Sequence, residues 1–364
     1  MPPLPIYMDN HSTTRVDPRV LEAMLPMFSE QYGNAGSTSH AFGWEAKDAV
    51  EAARETIAAA IGAVPREIVF TSGATEANNL ALQGIAQRRR RKGNHIVSVG
   101  TEHKAILDPL DRLSRGDFDV TYLAVAPNGE ADAGRIDLNQ LADAIGVETM
   151  LVTIMLANNE TGVLQPLAEI GKLCRERDVL LHTDATQAVG RIPVNVDEAN
   201  IDLMSFSAHK MYGPKGVGAL YVRRSVRQVR LVSQIEGGGQ ERGMRSGTLN
   251  VPGIVGFGSA LALCCDEMPA EAKRLAALRN SLWEQLSARL SDIGLNGPRL
   301  DDTSLRLAGN LNVSFGNVDG EALMMSMRDL AVSSGSACTS VSPEPSHVLR
   351  AMGISDDLTR SSLR

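Results

Sequence analysis

An α/β fold with a mostly parallel, seven-stranded sheet covered by helices on both faces is predicted by three observations. Seven short apolar runs recur along the chain, helical patterns lie between several of them, and polar clusters stand directly after some of the runs. Strands that are apolar throughout suit a sheet buried on both faces, and strands alternating with helices imply parallel pairing. The chain has 364 residues, more than one small core accommodates, so a large domain with a smaller α+β companion is expected.

The apolar runs are Glu67–Thr71, His95–Val99, Val120–Ala124, Met150–Met155, Val179–Thr183, Leu203–Ser207 and Gly218–Val222, all read as buried strands. Helical patterns include Ala46–Ile61 and Leu167–Arg177. The longest uncharged stretch, Ser246–Cys265, carries Pro252 and several glycines and opens with polar residues. It reads as a buried helix rather than a membrane span. From about Pro269 the pattern changes to a charged helix, Glu271–Leu290, then strand-like Asn310–Phe315 and helix-like Gly320–Leu330. Residues 15–265 are therefore assigned to the large domain, and residues 1–14 with 266–364 to the small one. No internal repeat or low-complexity linker is visible.

Hydrophobic residues make up 43% and aromatics only 4%, so the core must be built from Ala, Val, Ile, Leu and Met. A net charge of -7 argues against a nucleic-acid partner. The one basic run, Arg88–Lys92, suits the negative end of a helix. The four cysteines, Cys174, Cys264, Cys265 and Cys338, show no disulfide framework and no CxxC pattern. That points to a reducing, cytoplasmic setting. The opening MPPLPIYMDN lacks the basic and apolar regions of a secretory signal. His11, His40, His95, His182 and His347 show no metal-ligand spacing, so no metal site is expected.

Ligands of open α/β sheets sit beyond the carboxyl ends of strands. Three clusters stand there. Ser72–Glu76 (SGATE) separates a strand from a helix pattern. Its N–H groups and the helix dipole could hold a phosphate, although a plain helix cap has the same composition. In His182–Gln187 (HTDATQ), Asp184 ends a hydrophobic strand. A buried carboxylate needs a partner, and a pyridinium nitrogen would serve; a helix N-cap is the competing reading. In Ser205–Gly218, Lys210 follows a strand end beside Ser207 and His209. A cleft lysine can bond a carbonyl cofactor, whereas a lone loop lysine is ordinarily a solvated charge. The three together, in that order, are a far more specific signal than any one.

With these motifs the chain resembles the cysteine desulfurases of iron–sulfur cluster assembly, the IscS/NifS-like group of pyridoxal-phosphate enzymes with the aminotransferase fold. The resemblance spans essentially the whole chain. It is carried by Asp9–Val20, Thr71–Ala81, Thr101–Asp108, Asn158–Pro166, His182–Gly190, Ser205–Arg224, Gly237–Thr248 and, most specifically, SSGSACTS at Ser333–Ser340. It implies that Lys210 holds pyridoxal 5'-phosphate covalently and that His103 stacks on the ring and moves protons. Asp184 would pair with the pyridine nitrogen and Gln187 with the phenolic oxygen. Ala74, Thr75, Ser207 and His209 would bind the phosphate, joined by Thr248 from the other subunit of a homodimer. Asn159 and Arg364 would position the carboxylate of L-cysteine. Cys338 would take the sulfur as a persulfide, leaving alanine, and pass it to an iron–sulfur scaffold protein or another acceptor. In a scaffold complex Cys338 would also be the residue to contact a cluster. Its small, Gly/Ser-rich flanks argue against burial, while Cys174, Cys264 and Cys265 lie on helical segments and read as packing residues.

The rival readings are a selenocysteine lyase or aminotransferase on this fold, and a catalytically silent scaffold. SSGSACTS favours desulfuration, and Lys210, His103, Asp184 and Cys338 together disfavour the scaffold. The sequence ends LTRSSLR, where the resemblance implies a further strand and helices. On that reading the small domain is truncated and Arg364 only loosely held.

Overall fold

The computed structural model describes residues 4–89, 93–334 and 345–364. The strands are β1 Ile6–Tyr7, β2 Ile68–Thr71, β3 His95–Val99, β4 Asp119–Leu123, β5 Thr149–Thr153, β6 Leu180–Asp184, β7 Leu203–Ser207 and β8 Gly218–Val222, followed by β9 Ile293–Leu295, β10 Val313–Phe315, β11 Leu330–Ala331 and β12 Ser362–Leu363. The main sheet has the order β2-β8-β7-β6-β5-β3-β4. All neighbours pair parallel except β8, which runs antiparallel to β2 and β7. The seven expected runs are thus the seven strands of one sheet. A three-stranded antiparallel sheet, β12-β10-β9, and the pair β1-β11 stand apart from it.

Because side chains alternate across a strand, the apolar strands feed two core layers at once. Leu180, Leu203 and Leu220 enter one layer, while Leu181, Met204 and Ala219 enter the other. β4 departs from the expectation of burial: only Leu123 of its five residues is buried. It is an edge strand, with a single neighbour to cover it.

The apolar stretch near residue 250 and the charged stretch beyond Pro269 are one helix, Val251–Arg289, and not two. Asn250 caps it by accepting from the Gly253 amide at 3.1 Å, with Pro252 in the first turn. Proline at 269 removes one ladder donor without ending the helix. The composition changes there because the surroundings do. The first half packs in the core, where a Cβ at Gly258 would lie 2.9 Å from that of Ala53; the second half is largely exposed. The helix is long and apolar enough to cross a membrane, but its apolar half is occupied by this packing.

One buried ion pair ties β2 to the segment ahead of this helix. Arg54 donates to both carboxylate oxygens of Glu241, at 2.7 and 2.8 Å, and Glu241 also accepts from the Phe70 amide at 2.8 Å. Their side chains are 3% and 1% exposed, so neither charge has water to fall back on. Glu241→Ala is expected to cost about 3 kcal/mol, because it leaves the buried guanidinium with only the half-exposed Glu51, at 3.1 Å, as counter-charge. The midpoint of urea unfolding reads this directly; a loss below about 1 kcal/mol would mean that water replaces the carboxylate.

Candidate active site

The carboxyl ends of β2, β3, β5, β6 and β7 lie on one edge of the sheet, and a cavity of about 580 Å³ opens there. The chain following each strand supplies its wall. After β2, Ser72 and Gly73 lead into the helix Ala74–Arg89, so Ala74 and Thr75 face the cavity from a helix N-terminus. After β3 comes His103, which caps the helix Lys104–Ser114: its Nδ1 accepts from the Ala105 amide at 3.0 Å. After β5 comes Asn159, at the end of β6 Asp184 and then Gln187, and after β7 Ser207, His209 and Lys210. β8 must pass close by. A Cβ at Gly218 would lie 2.7 Å from both the Gly73 Cα and the Phe206 carbonyl oxygen, so only glycine fits.

Several of the polar groups have definite partners. Lys210 Nζ donates to the main-chain oxygens of His11 at 2.6 Å and Ser12 at 2.7 Å. Asp184 is buried and accepts from Asn78 Nδ2 at 2.7 Å and the Thr186 amide at 3.0 Å. Behind it, His182 is fixed between Thr153 and Ser205 at 2.8 and 3.0 Å. Burial lowers His182 to about 4 despite the opposing pull of Asp184, so it is neutral at pH 7. Burial and the cations Lys210, Lys215 and Arg191 bring His209 to about 4. Burial also lowers His103, opposed by Asp184 and aided by Lys210. With Nδ1 accepting, the neutral ring of His103 carries its proton on Nε2. Glu102, wholly buried, is raised well above the carboxylate range by burial and by the charge of Asp184.

Nine of the predicted site residues thus line one cavity: Ala74, Thr75, His103, Asn159, Asp184, Gln187, Ser207, His209 and Lys210. Thr248 is exposed and lies outside its lining. Cys338 lies outside the described residues. The other three cysteines are free, and burial pushes the thiols of Cys174 and Cys264 up to about 12, which leaves almost no thiolate at neutral pH.

Arg364 is held firmly, contrary to the expectation of a loose residue. Its guanidinium is 4% exposed and pairs with Asp9 at 2.8 Å. Nη1 donates to the Asn159 carbonyl at 2.8 Å, and the Arg364 main chain exchanges two hydrogen bonds with Ser333. Beside it Glu160 is buried and accepts from the Ser346 hydroxyl. Burial pushes Glu160 up to about 7, against Ser346 and Arg364, which pull it down. The folded chain thus keeps a proton that the unfolded chain releases near 4.5. This group stabilises the fold fully below that pH, and the contribution is lost as pH rises through about 7. Glu160→Gln, which cannot titrate, should therefore gain on the wild type by about 2–3 kcal/mol between pH 5 and pH 8. Urea unfolding across that range tests it; a pH-independent difference would show that Glu160 does not titrate there.

The sequence reading missed Asn78, the main-chain oxygens of His11 and Ser12, and Glu102. Asn78 was accessible in principle: it stands one helical turn after Ala74, on the face that Ala74 turns to the cavity. Main-chain acceptors leave no trace in residue types.

The residues present fit pyridoxal phosphate. A helix N-terminus flanked by two hydroxyls can take a phosphate, a buried carboxylate a ring nitrogen, and an amine an aldehyde. Four buried oxygens of lining residues, Asn78 Oδ1, Asn159 Oδ1, Thr186 Oγ1 and Gln187 Oε1, have no partner within the described residues, as expected where a polar ring is to be received.

Comparison with known proteins gives the same picture. The family model for aminotransferase class-V matches residues 6–364. A protein named cysteine desulfurase IscS from Anaeromyxobacter sp. (strain Fw109-5) is 59% identical over 361 residues, covering 99% of this chain and 87% of that protein. Its namesake from Rickettsia bellii (strain OSU 85-389) is 53% identical, with 99% and 86% coverage. Among solved structures, a NifS-like protein superposes with a TM-score of 0.89 at 37% identity, covering 99% of this chain and 93% of that one. SspA in complex with cysteine superposes with a TM-score of 0.85 at 39% identity, covering 98% and 97%.

Proposed function

The chain belongs to the class-V aminotransferase family and, within it, to the cysteine desulfurases of the IscS type; from that premise we propose how its own residues carry the reaction. It is a pyridoxal-phosphate-dependent cysteine desulfurase. The observation that carries the residue assignments is the convergence of Lys210, His103 and Asp184 on one cavity at the carboxyl edge of the sheet.

Bound pyridoxal phosphate supplies an electron-withdrawing ring that stabilises negative charge on the substrate and makes its sulfur open to attack by a thiolate. Ala74, Thr75, Ser207 and His209 hold the phosphate, with the partner subunit's Thr248 completing the cup. Asp184, held in place by Asn78 and the Thr186 amide, pairs with the ring nitrogen. Gln187 spends one N–H on the His11 carbonyl at 2.8 Å and keeps the other for the phenolic oxygen. Lys210 would hold the cofactor through Nζ, and the same amine would move the substrate's α-proton. His103 gives or takes a proton at Nε2. Asn159 and Arg364 position the substrate carboxylate, and the Arg364 fork must exchange Asp9 for it.

Cys338, as thiolate, attacks the sulfur of cysteine. The S–S bond forms, the substrate C–S bond breaks, and a proton taken up at the former sulfur-bearing carbon completes alanine. The high pKa values of Cys174 and Cys264 support giving this role to a different cysteine.

The reading extends to a homodimer that delivers sulfur in the cytoplasm to an iron–sulfur scaffold protein or another acceptor. Residues 15–265 form its cofactor domain, and residues 1–14 with 266–364 its small domain. Supporting the dimer, Leu21, Leu25, Phe28, Tyr32, Phe42 and Trp44 expose between 47% and 62% of their surface within one short segment. Sedimentation of the cofactor-loaded protein should give twice the chain mass; an active monomer would exclude shared sites. For the reaction itself, cysteine should yield alanine and sulfane sulfur in equal amounts. Turnover of selenocysteine alone would assign the site to a selenocysteine lyase.

A further inference from the structure

A second cavity, of about 350 Å³, lies behind the Lys210 turn, between the helix Val251–Arg289, the segment around Asn10–Val20 and residues 307–309. Its charged rim is internally balanced. Arg19 pairs with Asp17 and with Glu267, and Arg274 pairs with Glu271. Its walls are largely apolar, with Val20, Ala260, Leu263 and Leu275 among them.

Arg191 is the exception. It lines this cavity, and among the described residues no carboxylate pairs with it. Among the described residues its hydrogen bonds run from Nη2 to the carbonyls of Asn10 at 3.1 Å and Lys210 at 3.0 Å, and Nε and Nη1 have no acceptor. Arg306, also without a carboxylate, shows the contrast: carbonyl and amide oxygens take up all three of its nitrogens. A guanidinium left with open donors in an apolar-walled cavity is a site short of an anion.

His11 stands beside Arg191. It lines the same cavity at 6% exposure, with its ring against the Asn159 main chain. The strongest charge acting on its ring is that of Arg191.

We propose that this cavity is a binding site for a small organic monocarboxylate, separate from the cofactor cavity, with the carboxylate on Arg191 and a short apolar body against Leu263 and Leu275. One carboxylate oxygen can sit on Nη1, which Nη2's two carbonyl bonds leave open, and the paired rim leaves no second cation to demand a doubly charged ligand. The site touches the catalytic turn through one bond, Arg191 to the Lys210 carbonyl.

Calorimetric titration of the cofactor-loaded protein with sodium butyrate tests this. Saturable binding at one site per chain is expected. Arg191→Gln should weaken it by at least about ten-fold, the scale of a lost hydrogen bond to a charge. Ala308→Phe, which fills the cavity and leaves Arg191 intact, should weaken it similarly and decides the matter if Arg191→Gln fails to fold. Arg364→Gln, at the residue proposed to hold the substrate carboxylate, should leave it in place. Absence of saturable heat overturns the proposal, as does binding lost in Arg364→Gln but kept in the Arg191 and Ala308 variants.

Discussion

Replacing Lys210 by alanine is expected to lower alanine production by about a thousand-fold or more, the scale of losing a positioned acid–base group together with a covalent catalyst. The variant should also lose the visible absorbance of covalently held cofactor. The geometry explains why no neighbour can substitute. The Lys210 ammonium is aimed at the cavity by the carbonyls of His11 and Ser12, at 2.6 and 2.7 Å, while the other lining bases are imidazoles held neutral by burial. Lys215, the other lysine on the lining, lies beyond the Lys210 turn. The fold should survive, since the carbonyls freed by the deletion face an open cavity where water can replace the ammonium. Turnover within ten-fold of the wild type would remove Lys210 from the chemistry.

Cys338→Ser should abolish sulfur transfer altogether while leaving the cofactor spectrum and its response to added cysteine intact. Neither cofactor binding nor substrate docking uses the thiol, and a serine hydroxyl at neutral pH is neither ionised nor a sulfur nucleophile. Mass spectrometry after incubation with labelled cysteine gives the readout. The wild type should carry one added sulfur on Cys338 and the variant none. Label on Cys174 or Cys264 would contradict both the assignment and the effect of burial, which holds those two thiols protonated. Label on Cys265, which is half-buried and only moderately raised, would contradict the assignment alone.

The two effects have different signatures. Lys210→Ala alters colour and rate together, whereas Cys338→Ser keeps the colour and loses the product. A protein failing both tests in the same way would be misfolded, and the Glu241→Ala midpoint calibrates what a purely structural loss looks like in this chain.

Much of this molecule was legible in the residues themselves. The seven strands could be read because strands buried on both faces must be apolar throughout, a property each run carries locally. The Ser72–Gly73 turn, the strand-end carboxylate of Asp184 and the lysine turn were legible because each is a short motif tied to the end of a strand. What the residues could not say was decided by neighbours far away in the chain. β4 is exposed while β2, at the other edge of the same sheet, is wholly buried, so the cover each edge receives decides, and the helix Val251–Arg289 passes its proline because the core beside its first half holds it in place. Asn78 reaches Asp184 across 106 positions, and Arg364 is fixed by Asp9 across 355. The grip on Lys210 comes from main-chain carbonyls nearly two hundred positions earlier. Periodicity and motifs record what a residue asks of its immediate surroundings; which distant group answers is set only when the chain closes, because burial, pairing and pKa belong to the assembled site.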